Sequence, residues 1–467
     1  MGGNFGPWTL TPLEEQRLYD YALVDDLIGK HAQAHDPLYA RDIRNAKDCY
    51  QKPPQLWVNI PGLVARTAAD LLLPKPPTIK PTVENPELQT RIDSIATRSR
   101  LRRVAWRAAY WLSAHGDSYL LISDVPQVKG GKPQPVISMR RASNSLARNV
   151  RPEDAPFDRQ FVFRSYLPDG TQIFREVLAG RDNWSAFASS GTTQLPDAFK
   201  NAGGETREVV PLAVHLSAMR EDPDDEGFGE GDSTGCDDLA YEISNRFRQV
   251  SKILDRHAEP PMNVPEGALD EEGKLDVSQI KAFSRDQSGN GAEYITWTSQ
   301  LQEAYTEIDK IMELLSLLTE TPAALWGRDK NGLAESGRAL KFRLLAGLGK
   351  ARRSGGELAE GFTEAFRLAL RREDVLNGRT PGDYQLTVEM PDTFIADEVE
   401  ITDKVQKLRA ANAMSIRQAV EVGQGLTGKQ LDAETAEIEA EGGQSAPLGL
   451  ETGRFLGGKP GNVTGAP

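Results

Sequence analysis

Residues 320–353, ETPAALWGRDKNGLAESGRALKFRLLAGLGKARR, constrain this chain more than any other stretch. An acidic, apolar-periodic segment runs into Thr321-Pro322, where the proline ring stops a helix. A polar turn rich in Gly, Asn and Asp follows, and Ser336 stands where it can cap a new helix. From Ser336 to Arg353 there are six Lys or Arg and no Asp or Glu. The chain must therefore place an acidic helix, a short polar turn and a long basic helix in immediate succession.

The rest of the composition narrows the classes. The 467 residues suffice for two to four domains or sub-domains, and the net charge is −13. Proteins that clamp nucleic acid are basic, because neutralising phosphates releases counterions and drives binding. An acidic chain is unfavourable to a repressor-like clamp and is compatible with a wall along which a duplex slides. Cys49 and Cys236 have no CxxC spacing and read as reduced structural thiols. No apolar run of 18 residues is present, and the N-terminus lacks the pattern of a secretory signal, so the expectation is a soluble protein made in a cytosol.

Along the chain, 11–73 reads as mostly helical, with Thr11-Pro12 opening one helix and Asn59-Ile60-Pro61 capping another. The second ends in LLLPKPPTIKP, whose prolines forbid further helix. Residues 85–124 predict one long Arg- and Trp-rich helix, a turn at Gly116-Asp117 and a strand over 118–123. The Arg residues of that helix read as a solvated face. Residues 133–217 predict a mostly antiparallel sheet, and EDPDDEGFGEGD (221–232) an acidic loop. A helix over 233–257 carries Leu239, Ile243, Phe247 and Val250 on one face. A compact insert over 259–300 follows, with a short helix at 277–283 and a strand at 292–297. A second apolar-striped helix, 299–318, carries Leu301, Ile308, Ile311 and Leu315. After the basic helix, which reaches about residue 372, DYQLTVEMP reads as a strand. Acidic helices span 395–441, and the Gly/Pro-rich 442–467 reads as a disordered tail. Gly347, Gly349 and Ser354-Gly355-Gly356 predict a kink in the basic helix.

Catalytic signatures are missing from the sequence. Each Gly-Lys pair is followed by a residue other than Ser or Thr, so no P-loop hydroxyl stands ready for magnesium. No HExxH, GxSxG or zinc-finger spacing occurs. His31 and His35 have i, i+4 metal-pair spacing with no third ligand signalled nearby. Asp222, Asp224, Asp225 and Glu226 form one contiguous acidic run, whereas two-metal sites draw carboxylates from several ordered elements. The expectation is no catalytic residues, no metal and no cofactor.

The ordered set of these features resembles the portal proteins of tailed bacteriophages, of the SPP1-like type, over about residues 55–440. The set comprises VNIPGLVARTAADLLLPKPPTI with Asn59 opening its helix, the His115-Gly116-Asp117 turn, two long helices around a small insert, and the Ser336-Gly337 helix. A strand and the acidic C-terminal helices complete it. The resemblance implies an α+β portal-protein fold: long stem and tunnel helices, a mixed α/β wing, a small α/β clip insert and a helical C-terminal crown. The implied boundaries are wing 1–232, stem helix 233–258, clip 259–298, stem helix 299–320, and 321–391 for tunnel loop, long kinked helix and wing strand. Crown helices at 392–441 and the disordered tail at 442–467 follow.

What the resemblance implies for function is a non-enzymatic homo-oligomeric ring, twelve subunits in the virion, at one capsid vertex. Double-stranded DNA would pass through its channel. The terminase large subunit and then a head-completion or adaptor protein would dock on it, and major capsid and scaffolding proteins would surround it, with no membrane contact. Displayed around an axis, the tunnel loop would bring Arg328, Lys330, Asn331 and Gly332 to the constriction, with Arg338 and Lys341 behind them. The clip would offer Asp270, Glu271, Glu272, Lys274 and Arg285 to terminase or connector. The stem stripes, Leu239, Ile243, Phe247, Val250, Ile308, Ile311 and Leu315, would pack within and between subunits. Two readings from other classes stay open: a non-channel virion structural or adaptor protein, and a metal-dependent nuclease built on the acidic loop. The basic residues of the tunnel region would otherwise pair with Glu303, Glu307 and Glu313 or stay solvated.

Overall fold

The computed structural model describes residues 5, 8–29, 56–126, 131–149, 159–188, 191–199, 203–206, 208, 210–219, 227–258, 262–263, 293–294, 301–327, 342–392, 398–424, 426 and 428–440. The chain is mixed α+β and divides into two compact units, Met1–Thr393 and Phe394–Pro467.

The first unit opens with helix α1 (Pro12–Ile28). Thr11 and Glu14 form a reciprocal capping box: Thr11 Oγ1 accepts from the Glu14 amide, and the Thr11 amide donates to Glu14 Oε2. Asn59 begins α2 (Ile60–Leu72), accepting from the Gly62 amide at 2.8 Å while its own amide donates to the Ile28 carbonyl at the end of α1. One side chain thus caps one helix start and joins it to another helix's end. The proline run after α2 becomes the edge strand β1 (Thr78–Pro81), which pairs antiparallel with β13 (Leu386–Glu389). That pairing ties the segment after α2 to the last strand of the first unit.

The single long helix expected before the Gly116-Asp117 turn is two helices, α3 (Pro86–Ser99) and α4 (Leu101–His115). The break falls at Arg100, whose φ of 52° is left-handed without the usual glycine. α4 ends at Gly116, at φ 83°, where a Cβ would stand 2.0 Å from the Gly229 carbonyl oxygen. Only glycine fits that approach.

From there β2 (Asp117–Val125) runs as the centre of a three-stranded antiparallel sheet, between β3 (Gln134–Arg141) and β10 (Ala213–Ser217). A separate antiparallel sheet orders β4 (Ser145–Asn149), β5 (Arg159–Tyr166), β6 (Gln172–Leu178), β7 (Arg181–Ala188) and β8 (Gly191–Thr193), with β9 (Gly204–Glu205) also on β7. The region 133–217 is therefore two sheets, antiparallel as expected, with Arg175 joining them. Its guanidinium reaches the Ile122 carbonyl of β2 at 3.1 Å and Asp182 of β7 at 2.8 Å.

Asp117, fully buried at the start of β2, accepts from the Tyr21 hydroxyl at 2.5 Å and the Gly229 amide at 3.2 Å. His215 Nε2 lies 2.6 Å from its other oxygen. Burial, and next the Asp117 charge, push the Tyr21 phenol well above its ordinary value, so it stays a donor. With Asp232 N donating to the Ser113 carbonyl at 2.7 Å, the segment 227–232 is fixed to the end of α4. This anchors the start of α5 (Asp237–Ala258).

Beyond α5, the described part of the insert is β11 (Met262–Asn263) paired antiparallel with β12 (Glu293–Tyr294). Its expected short helix lies outside the described residues, and only two residues of the expected strand are described as strand. Helix α6 (Leu301–Leu318) follows, then a 3-10 turn (Ala323–Trp326) and the 32-residue α7 (Leu345–Leu376). α7 supplies Leu358, Phe362, Ala365, Phe366, Ala369 and Leu370 to the main core. The helix is continuous through Gly347, Gly349, Gly355, Gly356 and Gly361. Three of them permit close packing. A Cβ at Gly347 would meet Pro322 at 3.1 Å, at Gly355 it would meet Leu72 at 3.2 Å, and at Gly361 it would fall 1.9 Å from Leu216.

The second unit contains α8 (Glu398–Ala410), α9 (Ile416–Gln424) and α10 (Gly428–Ala440). Buried Val420 and Leu431 and the exposed Arg417–Asp432 pair at 2.8 Å hold α9 to α10.

Candidate functional site

α5 and α6 pack into a pair that grows out of a small core distinct from the main one. Ile243 and Ala240 of α5, Leu315 of α6, Cys236, and Ile60 and Val64 of α2 are its buried members. Leu239, Phe247, Ile311, Met312, Trp57 and Trp326 flank them. Ile243 shares that core with Leu315, while Arg246 pairs with Glu307 at 2.9 Å. Later residues of α5 therefore meet earlier residues of α6, and the helices are antiparallel. The pair is tied at its base by the Val58 amide donating to Ser244 Oγ at 3.0 Å.

The apolar stripes read from the sequence are this inner seam. Ile243, Val250, Ile308 and Leu315 are buried within one subunit, and Leu239, Phe247 and Ile311 are half-buried. The apolar surface left over lies elsewhere. On α6, Leu314, Leu317 and Leu318 share one adjacent face, and Leu317 is 75% exposed. Phe342 and Leu345, where α7 begins, are also exposed.

At the foot of α6 the chain reverses through Thr319–Thr321, with Glu320 at φ 50°. Lys350 of α7 holds this reversal. Its Nζ donates to the Thr319 carbonyl at 2.8 Å and Thr321 Oγ1 at 2.9 Å, and stands 3.2 Å from Asp232 Oδ2. Asp232 also accepts from the Ser113 hydroxyl. Arg353, one turn along α7, pairs with Glu320. The start of α5, the end of α6 and the start of α7 are thus locked at one point. That point also holds the beginning and end of the segment 321–345.

Several site residues named from the sequence lie outside the described residues: Arg328, Lys330, Asn331, Gly332, Arg338 and Lys341 of the turn, and Asp270, Glu271, Glu272, Lys274 and Arg285 of the insert. So do His31, His35, Cys49 and the acidic run at 221–226. Cys236 is a buried thiol. Of the six basic residues over 336–353, Lys350 and Arg353 have structural partners, and Arg352 is exposed. Those partners are Asp232 and Glu320, whereas Glu307 pairs with Arg246. Sequence periodicity had no means of separating Lys350 from its neighbours; its i, i+3 relation to Gly347, which faces Pro322, is the signal that would have placed it on the inner side. Among the described residues no cluster of His, Cys, Asp and Glu suits a metal ion, and no helix is long and apolar enough to cross a membrane.

No protein-family model matches the chain, and no curated protein matches it. Among solved structures it is similar to a chain from the virion of a native gene transfer agent (GTA) particle, with TM-score 0.46 and 12% identity over 88% of this chain and 94% of that one. It is similar to the same extent to a chain from the neck of an empty GTA particle computed with C6 symmetry. The corresponding values for the neck of a native GTA particle computed with C12 symmetry are TM-score 0.39 and 12% identity, over 80% of this chain and 88% of that one.

Proposed function

We propose that this chain is the subunit of a portal-type ring in a phage-like virion, conducting double-stranded DNA through a central channel and docking the packaging and head-completion machinery. The observation that carries the reading is the antiparallel α5–α6 pair, whose inner seam is satisfied within one subunit while Leu314, Leu317 and Leu318 face outward. Together with the element order that resembles portals, this surface suits a second copy placed head to tail. A heterologous contact of that kind closes into a ring when its rotation closes.

In this reading the lock at Lys350 gives each turn over 327–341 a fixed base, so twelve copies would present a ring of loops. Arg328 and Lys330 would meet the duplex phosphates, with Arg338 and Lys341 behind them. Few cations per subunit suit a moving duplex, because each phosphate contact adds salt-dependent affinity that must be broken to advance. The insert, with Asp270, Glu271, Glu272, Lys274 and Arg285, would carry the terminase and connector contact. The protein would act by geometry and charge, with no catalysis of its own. The test is a packaging assay on particles built with Arg328→Glu/Lys330→Glu subunits that still assemble. A reduced packaging rate or reduced DNA retention is expected; unchanged values would remove these residues from a channel wall.

A further inference from the structure

A cleft of about 860 Å³ lies between the proline turn after α2 and the junction of α3 with α4, on the first unit. Its rim carries Lys75, Arg100, Arg102 and Arg103. All four are exposed, and none has a side-chain hydrogen bond or ion pair among the described residues. The acid on the lining, Asp70, accepts from Trp106 Nε1 at 2.7 Å. α4 begins with no acid in its first turn and no capping side chain, so its positive N-terminal dipole adds to the cations instead of being offset. The positive character extends along α4: burial, then the like charges of Arg141 and Arg103, hold the Arg107 guanidinium below its ordinary value. In a chain of net charge −13, the cleft gathers these four cations against one carboxylate, Asp70, and so is locally positive.

The cleft has an apolar floor as well, formed by Leu73, Leu101, Ala105 and Trp106. A phosphodiester backbone has nothing apolar to bury there. Arg and aromatic residues with little Lys or acid are the composition of protein interfaces, and the cavity volume suits a short inserted segment. We propose that this cleft docks an acidic peptide segment of a protein partner, its carboxylates paired with the rim arginines and one apolar side chain seated on the Trp106 floor. The proposal does not depend on the channel reading.

The experiment is fluorescence anisotropy on the full chain at low and moderate salt. The probes are a fluorescein-labelled DEDLFEDE peptide, the anchorless DEDSSEDE peptide and a DNA duplex of about 20 base pairs. The expected result is binding of DEDLFEDE at least about tenfold tighter than DEDSSEDE or DNA, or about 1.4 kcal/mol. Arg102→Gln/Arg103→Gln should weaken it by at least about tenfold. Lys75→Gln, on a different segment, should weaken it about threefold, which keeps the test valid if the double variant misfolds. Tighter binding of DNA, lost in the same variants, would make this a nucleic-acid site and overturn the proposal. Absent peptide binding, equal affinity for the anchorless peptide, or affinity unchanged in properly folded variants would overturn it too.

Discussion

Lys350→Met keeps the length and apolar stem of the side chain while removing its charge and three donors, so it isolates the lock at the base of the turn. Lys350 is 6% exposed, and its Nζ has three partners at 2.8–3.2 Å. At 3.2 Å and an effective dielectric near 20, the attraction to Asp232 is about 5 kcal/mol gross, most of which offsets the cost of taking both charges out of water. The variant would take this donor from the buried Thr321 Oγ1 and from the Thr319 carbonyl, which keeps the Thr321 hydroxyl at 3.1 Å, and hydrogen bonds to a charged group contribute about 1.5–3 kcal/mol each. Asp232, 21% exposed, would recover part of the loss from water. The expected net destabilisation is about 3 kcal/mol, or roughly 4 °C in Tm for a unit of this size. Urea titration and thermal melts followed by tryptophan fluorescence measure it. Arg352→Met, on an exposed residue of the same helix, should change stability by less than about 0.5 kcal/mol. A cycle with Asp232→Asn should show coupling of about 1–2 kcal/mol. A Lys350→Met variant within 0.5 kcal/mol of the parent would refute the reasoning and return Lys350 to the set of residues available to a ligand.

The glycines of α7 should divide by what they face. Gly356→Ala meets open space and should stabilise by about 0.5–1 kcal/mol, whereas Gly361→Ala must displace core Leu216 and should cost about 1–3 kcal/mol; chemical denaturation separates the two signs. Burial tends to raise the Asp25 carboxyl, but His115, then Ser143 and Arg141, outweigh it and hold it below its ordinary value. Its stabilisation is present above the unfolded carboxylate value of about 3.9 and is lost as pH falls through the lower folded value. Asp25→Asn should therefore flatten the acid limb of a stability–pH profile below about pH 4, and an unaltered limb would contradict this. Leu317→Asp, on a residue 75% exposed, should leave the subunit's Tm within about 1 °C while reducing assembly seen by mass photometry. Ile308→Asp, buried in the seam, should destabilise the subunit itself by several kcal/mol, visible as a lowered Tm.

What the sequence made legible was what local chemistry decides. Thr11 and Asn59 cap helices because their side chains reach amides three residues on, and the prolines of 74–81 end a helix wherever they fall. The apolar stripes of α5 and α6 were readable because a 3.6-residue period needs no partner to be seen. Periodicity could not say what the stripes pack against, and Ile243 and Leu315 meet inside one subunit. The split at Arg100 was hidden because an Arg in the left-handed region has no local signature. The close approaches at the α7 glycines were not legible: glycine signals flexibility in isolation and close approach once Leu72 and Leu216 are known to lie opposite. The basic stripe was legible as charge, but its division into a buried lock and exposed residues depends on Asp232 and Glu320, distant in sequence or across the turn.

Electron microscopy of the purified full-length chain tests the central claim most directly. Class averages should show rings with a central hole wide enough for a duplex, about twelve subunits around the axis, and Leu317→Asp particles should lose them. Parent protein that remains monomeric, or that assembles without a central hole, would contradict the account.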